Sequence, residues 1–256
     1  MIFSNLKKHQ FLFEELVKRD FKEKYKRTVL GMGWSILSPL LTLFIMKLVF
    51  TQFFGRNTPF YTTYLFSGNL VMSYFKESTR GGMTSLMNNA KIFSKINLPK
   101  YMFILSRNVS ALVNFLIILV VYFFFCFLDG ITFGLHILML VYPLLCLVLF
   151  NLGIGMILSA MYVFFRDTMH LYDVFLTLLT YVSAIFYRID GFSPGVQKLF
   201  LLNPVYCYIH YFRLVVIDRS IPSLQYHLLC MGYALVAVFL GFWIYRKNNH
   251  KFLYYV

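Results

Sequence analysis

Six apolar stretches run along the chain, separated by shorter polar segments. They cover about residues 33–54, 60–80, 101–128, 135–162, 169–187 and 226–245. Each is close to the roughly 20 helical residues that cross a hydrocarbon core of about 30 Å. Lys47 is the one charge in the first stretch, and Lys76, Glu77 and Arg80 lie towards the end of the second. The pattern predicts an all-α integral membrane protein with six transmembrane helices.

The first 32 residues are charged and follow a helical period. Apolar side chains recur at three- and four-residue steps, as at Phe13, Val17 and Phe21, and most lysines and arginines fall on the other side. Phenylalanine on one face and basic residues on the other suit a helix lying at the membrane surface. Residues 1–32 are therefore predicted to be a cytoplasmic amphipathic interface segment, and residues 33–256 the transmembrane domain. A solvated helical arm is the alternative.

The segment 189–225 does not fit one continuous span. It carries Gly191, Pro194, Gly195, Pro204 and Pro222, and its apolar part, 196–216, is interrupted by Pro204. Proline removes a backbone donor and breaks a helix. We expect short re-entrant helices here, on the outer side between spans five and six.

Composition supports the membrane assignment. Hydrophobic residues make up 59% of the 256 residues and charged residues only 13%, whereas soluble domains carry about 25% charged residues. A soluble enzyme is therefore excluded, and so is a disordered chain, which would need low hydrophobicity.

The net charge of +14 is distributed unevenly about the spans. Sixteen lysines and arginines flank the spans on the side of the N-terminus, and five lie on the other side. Because cytoplasmic loops are enriched in these residues, both termini are predicted to be cytoplasmic. Because the positive-inside rule already explains the net positive charge, nucleic acid is not predicted as a partner.

Sequence motifs for catalysis are missing. The chain has neither a Gly-x4-Gly-Lys-Ser/Thr phosphate loop nor a His-Glu-x-x-His motif, and its four cysteines have no CxxC spacing. His170 and Asp173 make one close pair, which we interpret as interfacial. We therefore predict no catalytic residue, no metal site and no cofactor in this chain. If the protein moves a substrate, another chain supplies the energy.

Four segments resemble one family. Residues 25–34 have the sequence YKRTVLGMGW, followed by Pro39, and the basic loop 89–99 has the sequence NAKIFSKINLP. FFRD at 164–167 and LNP at 202–204 complete the set. In this order along the whole chain, they resemble the ABC-2 type permeases that export cell-surface polysaccharides: O-antigen, capsule or teichoic acid.

The resemblance implies a half-transporter in the bacterial cytoplasmic (inner) membrane. Two copies would pair as a homodimer and bind two separate ATPase subunits, which hold ATP and Mg and drive export of a lipid-linked polysaccharide. The chain itself would not be an enzyme. The alternatives are an ABC-2 exporter of a drug or simple lipid, and a membrane-embedded transferase acting on lipid-linked sugars.

Two cytoplasmic connections are expected to contact the ATPase. The loop between spans two and three is short, basic and partly apolar, and the connection after span four is tight. The predicted residues are Lys91, Ile92, Phe93, Lys95, Ile96, Arg166 and Asp167. A role in setting topology alone is the alternative.

In the family that the chain resembles, spans one and five line the translocation path. Aromatic faces match the C–H face of a sugar ring, and hydroxyl groups match its hydroxyls. The path candidates are Trp34, Ser38, Thr42, Tyr172, Thr177, Thr180 and Tyr181. The alternative is that they are interfacial anchors and helix-packing residues.

Two further sets complete the predicted site. The re-entrant segment is expected to close the outer mouth as a gate, through Asn203, Pro204, Tyr206, Tyr208 and Tyr211. Arg213 is expected near that exit, where it meets phosphate or acidic sugar or extends to lipid headgroups. Arg27 and Arg80, on the cytoplasmic side, are predicted to capture the phosphate of the lipid carrier.

Overall fold

A computed structural model describes residues 9–26, 28–51, 59–93, 99–248 and 251–255, and every regular element in these ranges is helical. Eleven α-helices are described: α1 (Gln10–Tyr25), α2 (Trp34–Phe50), α3 (Tyr61–Asn88), α4 (Ala90–Phe93), α5 (Tyr101–Leu128), α6 (Val141–Phe164), α7 (Thr168–Val182), α8 (Pro194–Phe200), α9 (Pro204–Val216), α10 (Leu224–Asn248) and α11 (Phe252–Tyr255). Short 3₁₀ turns, Gly31–Gly33 and Leu135–Leu140, lead into α2 and α6. The predicted all-α class is confirmed.

Four of the predicted spans are long and apolar enough to cross a membrane. Among the described residues these are the helical stretches Gly31–Phe50, Tyr101–Leu128, Leu135–Phe164 and Leu224–Asn248. The break expected at Pro204 is also present, as a bend of 104° between α8 and α9. The chain is therefore a multi-pass membrane protein.

The other two predicted spans differ from the simple pattern. The 28-residue α3 is long enough but more polar, because it carries Lys76, Glu77 and Arg80 as well as buried hydroxyls such as Thr63 and Ser67. The 15-residue α7 extends only about 22 Å, and the chain bends after Val182. That these two segments also cross the membrane, which would give six spans, remains a prediction.

The centre of the bundle is α3, which packs against α5 and α6 along most of its length. A buried polar contact joins α3 to α5: the Tyr74 hydroxyl donates to Asn108 Oδ1 at 2.7 Å. On the far side of α6, Gly153 lets α10 approach closely, since a Cβ there would lie 2.3 Å from the Ala237 carbonyl carbon.

The two ends of the bundle differ in chemistry. At one end, here called the basic end, α1, α5, α6 and α10 meet around a second apolar cluster that includes Leu16, Phe103, Val163, Tyr245 and Phe252. At the other end, here called the opposite end, the α8–α9 unit covers the start of α3 and the end of α7. The helix predicted within the first 32 residues is confirmed as α1, and its place on the membrane surface stays a prediction.

Candidate translocation groove and charged cavity

A polar groove of about 200 Å³ lies between α2, α3 and α5. On α2 it is lined by Trp34, Ser35, Ser38, Pro39 and Thr42, and on the other two helices by Asn69, Ser73, Glu77, Asn114 and Ile118, with Lys24 of α1 at one end. The structure thus brings together three of the predicted path residues, Trp34, Ser38 and Thr42. Amide, hydroxyl and indole groups in one groove suit a ligand with many hydroxyls.

Sequence reasoning missed the α3 wall of this groove. Asn69, Ser73 and Glu77 follow one another at four-residue intervals, so they share one face of the helix. Because α3 is buried on most sides, apolar residues stand between these polar positions in the sequence. The stripe can be found by its four-residue spacing but not from hydropathy alone.

The path candidates on α7 do not reach this groove. Tyr172 is buried, and its hydroxyl lies 2.6 Å from that of Thr79 on α3, so within one chain it is a packing residue. Tyr181 is exposed, as is Thr177, on the outer surface of α7, and the Thr180 hydroxyl donates to the Leu176 carbonyl. Their role in the path stays a prediction, and it requires a second copy to face them.

A larger cavity of about 500 Å³ continues from the groove towards the basic end. Its lining carries two carboxylates and two cations among seven residues: Glu23, Lys24, Glu77, Gly81, Asn88, Arg107 and Ser110. This charged cavity therefore lies where the end of α1 meets α3 and α5.

Ion pairs attach α1 to both neighbours across the charged cavity. Glu23 accepts from Arg107 of α5 at 3.1 Å, and Lys24 donates to Glu77 of α3 at 2.8 Å. The Asn114 amide also donates to Glu77, at 3.0 Å. The cations and carboxylates of the cavity therefore neutralise each other.

One turn earlier, α1 is held by a buried carboxylate. Asp20 is 2% exposed. It accepts from the Ser106 hydroxyl at 2.8 Å and from Arg19 at 2.7 Å, and Arg107 Nε lies 3.5 Å away. A carboxylate buried without such partners would be costly, so these contacts fix α1 to α5 through Asp20.

Of the two predicted carrier-phosphate residues, only Arg80 is described, and it does not line the charged cavity. Arg80 forms an ion pair with Asp173 of α7 at 3.0 Å, and both side chains are exposed. Arg27 lies outside the described residues. Among the described residues, the cations that line the cavity are Lys24 and Arg107, and the carrier-phosphate role of Arg27 and Arg80 stays a prediction.

The described parts of both predicted ATPase contacts lie at the basic end. Ile92 and Phe164 pack on the same apolar cluster, and Lys91, Arg166 and Asp167 are exposed around it. Lys95, Ile96 and the side chain of Phe93 lie outside the described residues. The two connections can therefore be contacted by one partner.

Comparison with known proteins decides the family. Residues 12–217 match the ABC-2 type transporter family. The chain belongs to this family. The permease is 26% identical over 247 residues to the O-antigen export system permease protein RfbA of Klebsiella pneumoniae, which covers 94% of this chain and 95% of the relative. An RfbA of Myxococcus xanthus is 24% identical over 253 residues, 96% of each chain.

A third relative carries a different product name. The polysialic acid transport protein KpsM of Escherichia coli is 22% identical over 246 residues, 94% of each chain. All three matches extend over nearly the full length of both proteins, so the family likeness is not confined to one motif. The permease is a membrane transport subunit and not an enzyme.

The predicted gate residues of the permease lie at the start of α9 and on its face towards α10 and the end of α7. Asn203 caps α9, accepting from the backbone N–H of Val205 at 3.0 Å and donating to the Ser183 hydroxyl at 3.0 Å, and Pro204 occupies the first helical position. Tyr208 donates to the Cys230 carbonyl, and the Tyr211 hydroxyl lies 2.9 Å from His227 Nε2. With Tyr206 they are buried, so they do not line an open mouth in this structure. The gate role stays a prediction for the unit as a whole.

Arg213 is not the exposed headgroup contact that was one expectation for it. This side chain is only 4% exposed and is surrounded by protein groups. Its guanidinium donates to the carbonyls of Ala184, Ile185 and Tyr64 and to the Ser67 hydroxyl, and it lies 3.5 Å from the centre of the Tyr64 ring. Arg213 therefore ties α9 to α3 and to the bend that ends α7.

Proposed function

We propose that this permease is the membrane subunit of an ABC transporter that exports a lipid-linked cell-surface polysaccharide of the O-antigen or capsule class. The similarity to two O-antigen permeases and a polysialic acid transport protein over nearly the full chain carries this proposal. The polar groove agrees with it, because hydroxyl, amide and indole groups in its lining suit the hydroxyls and ring faces of sugars.

The energy source is a separate ATPase. The chain has no phosphate-binding loop of its own. The exposed charges of Lys91, Arg166 and Asp167 at the basic end offer a docking surface for that subunit. Positive-inside bias assigns the basic end and both termini to the cytoplasmic side of the inner membrane.

A second copy would complete the path. The outer surface of α7 exposes Leu171, Val174, Phe175, Leu178 and Tyr181, and most of α2 is also exposed in the single chain. In the homodimer, these surfaces would face each other or lipid, and Thr177 and Tyr181 would join the groove.

Co-purification from native membranes tests the proposal. We expect a stoichiometric partner that hydrolyses ATP, and loss of the surface polysaccharide when the permease is deleted. Reversing the exposed charges in the Lys91→Glu, Arg166→Glu variant should release the ATPase while the permease still inserts. Lys198→Glu, an exposed lysine on α8 at the opposite end, is the matched control.

A permease that purifies without an ATPase, and whose deletion leaves surface glycan unchanged, would contradict the proposed function. An ATPase that remains bound to the Lys91→Glu, Arg166→Glu variant would contradict only the docking surface.

A further inference from the structure

Two residues connect the charged cavity to the groove. The described linings of the two spaces share Lys24 and Glu77 and no other residue. Because Lys24 Nζ and Glu77 Oε2 are 2.8 Å apart, their ion pair lies where one space meets the other. A ligand that moves from the cavity into the groove has to pass it.

The two partners differ in how firmly they are held. Glu77 Oε2 also accepts from Asn114 Nδ2 at 3.0 Å, and Asn114 is 5% exposed, so the carboxylate has a fixed second partner. Lys24 stands on a flexible four-carbon stem, with 41% of its side chain exposed. The anchor at Asp20 holds α1 one turn earlier. The Lys24 side chain can therefore leave Glu77 without moving the helix.

We propose that the Lys24–Glu77 pair is a latch between the charged cavity and the groove, and that a phosphate-bearing headgroup in the cavity opens it. The inference rests on the proposed function, in which the exported glycan is attached to a lipid carrier. Of the cations in the described lining of the cavity, Lys24 pairs with Glu77, and Arg107 pairs with Glu23 and, at 3.5 Å, with Asp20. A phosphate group offers both of them more charge and more acceptor oxygens than Glu77 and Glu23 do.

The opening step is an exchange of partners. Phosphate takes the Lys24 ammonium, and the negative charge of the bound phosphate repels the Glu77 carboxylate, which stays with Asn114. Arg107 presents a planar fork to the same phosphate and remains attached to Asp20 through Nε. The sugar attached to the phosphate then meets the open end of the groove.

Thiol labelling measures the latch directly. Ser73→Cys places a thiol in the groove beyond the pair, and the four native cysteines are all buried. Inside-out membrane vesicles carrying the full transporter are treated with a charged, membrane-impermeant maleimide. Lys24→Met and Glu77→Gln should each label about fivefold faster than the parent, the factor expected from loss of a partly exposed ion pair.

Two controls test whether the pair itself is responsible. Lys18→Met removes an exposed lysine of the same helix that pairs with Glu15, away from both spaces, and should leave the labelling rate unchanged. The exchanged pair Lys24→Glu, Glu77→Lys should restore the slow rate of the parent. Equal rates in the parent and both single variants, or a fast rate in the exchanged pair, would overturn the latch.

The ligand is tested with two sources of the same chemistry. Inorganic pyrophosphate, and separately fusion with vesicles containing a polyprenyl diphosphate, are added before labelling. Faster thiol labelling in the parent, but not in Lys24→Met, supports phosphate as the group that opens the latch. If only the polyprenyl diphosphate increases the labelling rate, the ligand is a headgroup that reaches the cavity from the membrane. If inorganic pyrophosphate increases it as well, the diphosphate group alone is enough to open the latch. No acceleration by either would overturn the phosphate assignment.

Failure of this inference is distinguishable from failure of the proposed function. Labelling of Ser73→Cys requires neither glycan export nor ATP hydrolysis. A permease without an ATPase partner can still show the latch, and a true polysaccharide exporter can lack it.

Discussion

The surroundings of Arg213 in the fold differ from those that its neighbours in the sequence suggest. An arginine between apolar residues near a predicted exit suggests a phosphate contact or an interfacial anchor. In the fold, its donors instead satisfy carbonyl groups at the point where α7 ends and Ala184 adopts a left-handed backbone (φ 50°). Unpaired carbonyls buried there would be costly, so the Arg213 guanidinium stabilises the packing at the opposite end of the bundle.

Gly68 provides the space for this arginine. A Cβ at position 68 would lie 2.6 Å from an Arg213 nitrogen and 3.2 Å from the Ile185 side chain. Gly68→Ala should therefore lower the free energy of unfolding by about 1–3 kcal/mol, the usual cost of overpacking. Thermal unfolding in detergent micelles, followed by tryptophan fluorescence, measures the change.

Gly232→Ala is the matched control, since a Cβ there meets nothing within 4 Å. It removes a glycine from the interior of α10 and should stabilise the permease by about 0.5–1 kcal/mol. Equal melting temperatures for the two variants would contradict the packing assigned to Gly68.

At the scale of elements, the chemistry of α1 differs from a simple surface helix. Its period predicted an apolar face that includes Phe13, Val17 and Phe21, which are half-buried, while Leu16, outside that predicted set, is buried in the basic-end cluster. Phe11 nevertheless remains 79% exposed, while Asp20 is buried. The helix is therefore attached through polar contacts to α5 as well as through apolar packing, which a periodicity argument does not detect.

Asp20→Ala should detach α1 without unfolding the bundle. Loss of a buried carboxylate that binds Ser106 and two arginines should cost about 2 kcal/mol of local stability. Because cleavage follows the population of the open form, trypsin should cut within α1 about 30 times faster. Limited proteolysis of the purified transporter gives this rate.

Glu15→Gln is the control for the proteolysis experiment. It removes a carboxylate of the same helix whose pair with Lys18 is exposed, and exposed pairs contribute at most about 1 kcal/mol. Its cleavage rate should stay close to that of the parent. An Asp20→Ala rate equal to the Glu15→Gln rate would show that Asp20 does not anchor α1.

At the scale of the whole molecule, orientation follows from charge. Lys91 and Lys198 are both exposed, and they lie at the basic and opposite ends respectively. The positive-inside rule predicts that the basic end faces the cytoplasm. Asn89, in the same loop as Lys91, is buried and is therefore a poor probe.

Single cysteines can test this topology. Lys91→Cys should react with an impermeant maleimide only in inside-out vesicles, and Lys198→Cys only in intact cells or right-side-out vesicles. The reverse pattern would invert the orientation. Labelling of both from one side would contradict the predicted arrangement of the two ends.

The sequence alone determined the features that depend on neighbouring residues. Apolar stretches of sufficient length predicted the long helices, because backbone groups in lipid must be paired within the helix. Pro204 predicted the break between α8 and α9, because proline cannot donate to the preceding turn. The four quoted segments indicated the family, which the comparisons confirm.

Only the tertiary structure decided which polar side chains meet. Lys24 and Glu77 are 53 residues apart, Glu23 and Arg107 are 84 apart, and Arg213 and Tyr64 are 149 apart. Each of these contacts depends on which faces of distant helices pack together, and hydropathy along the chain carries no information about that choice. The groove was therefore half predicted, through its α2 wall, whereas the charged cavity emerged only when α1, α3 and α5 were packed together.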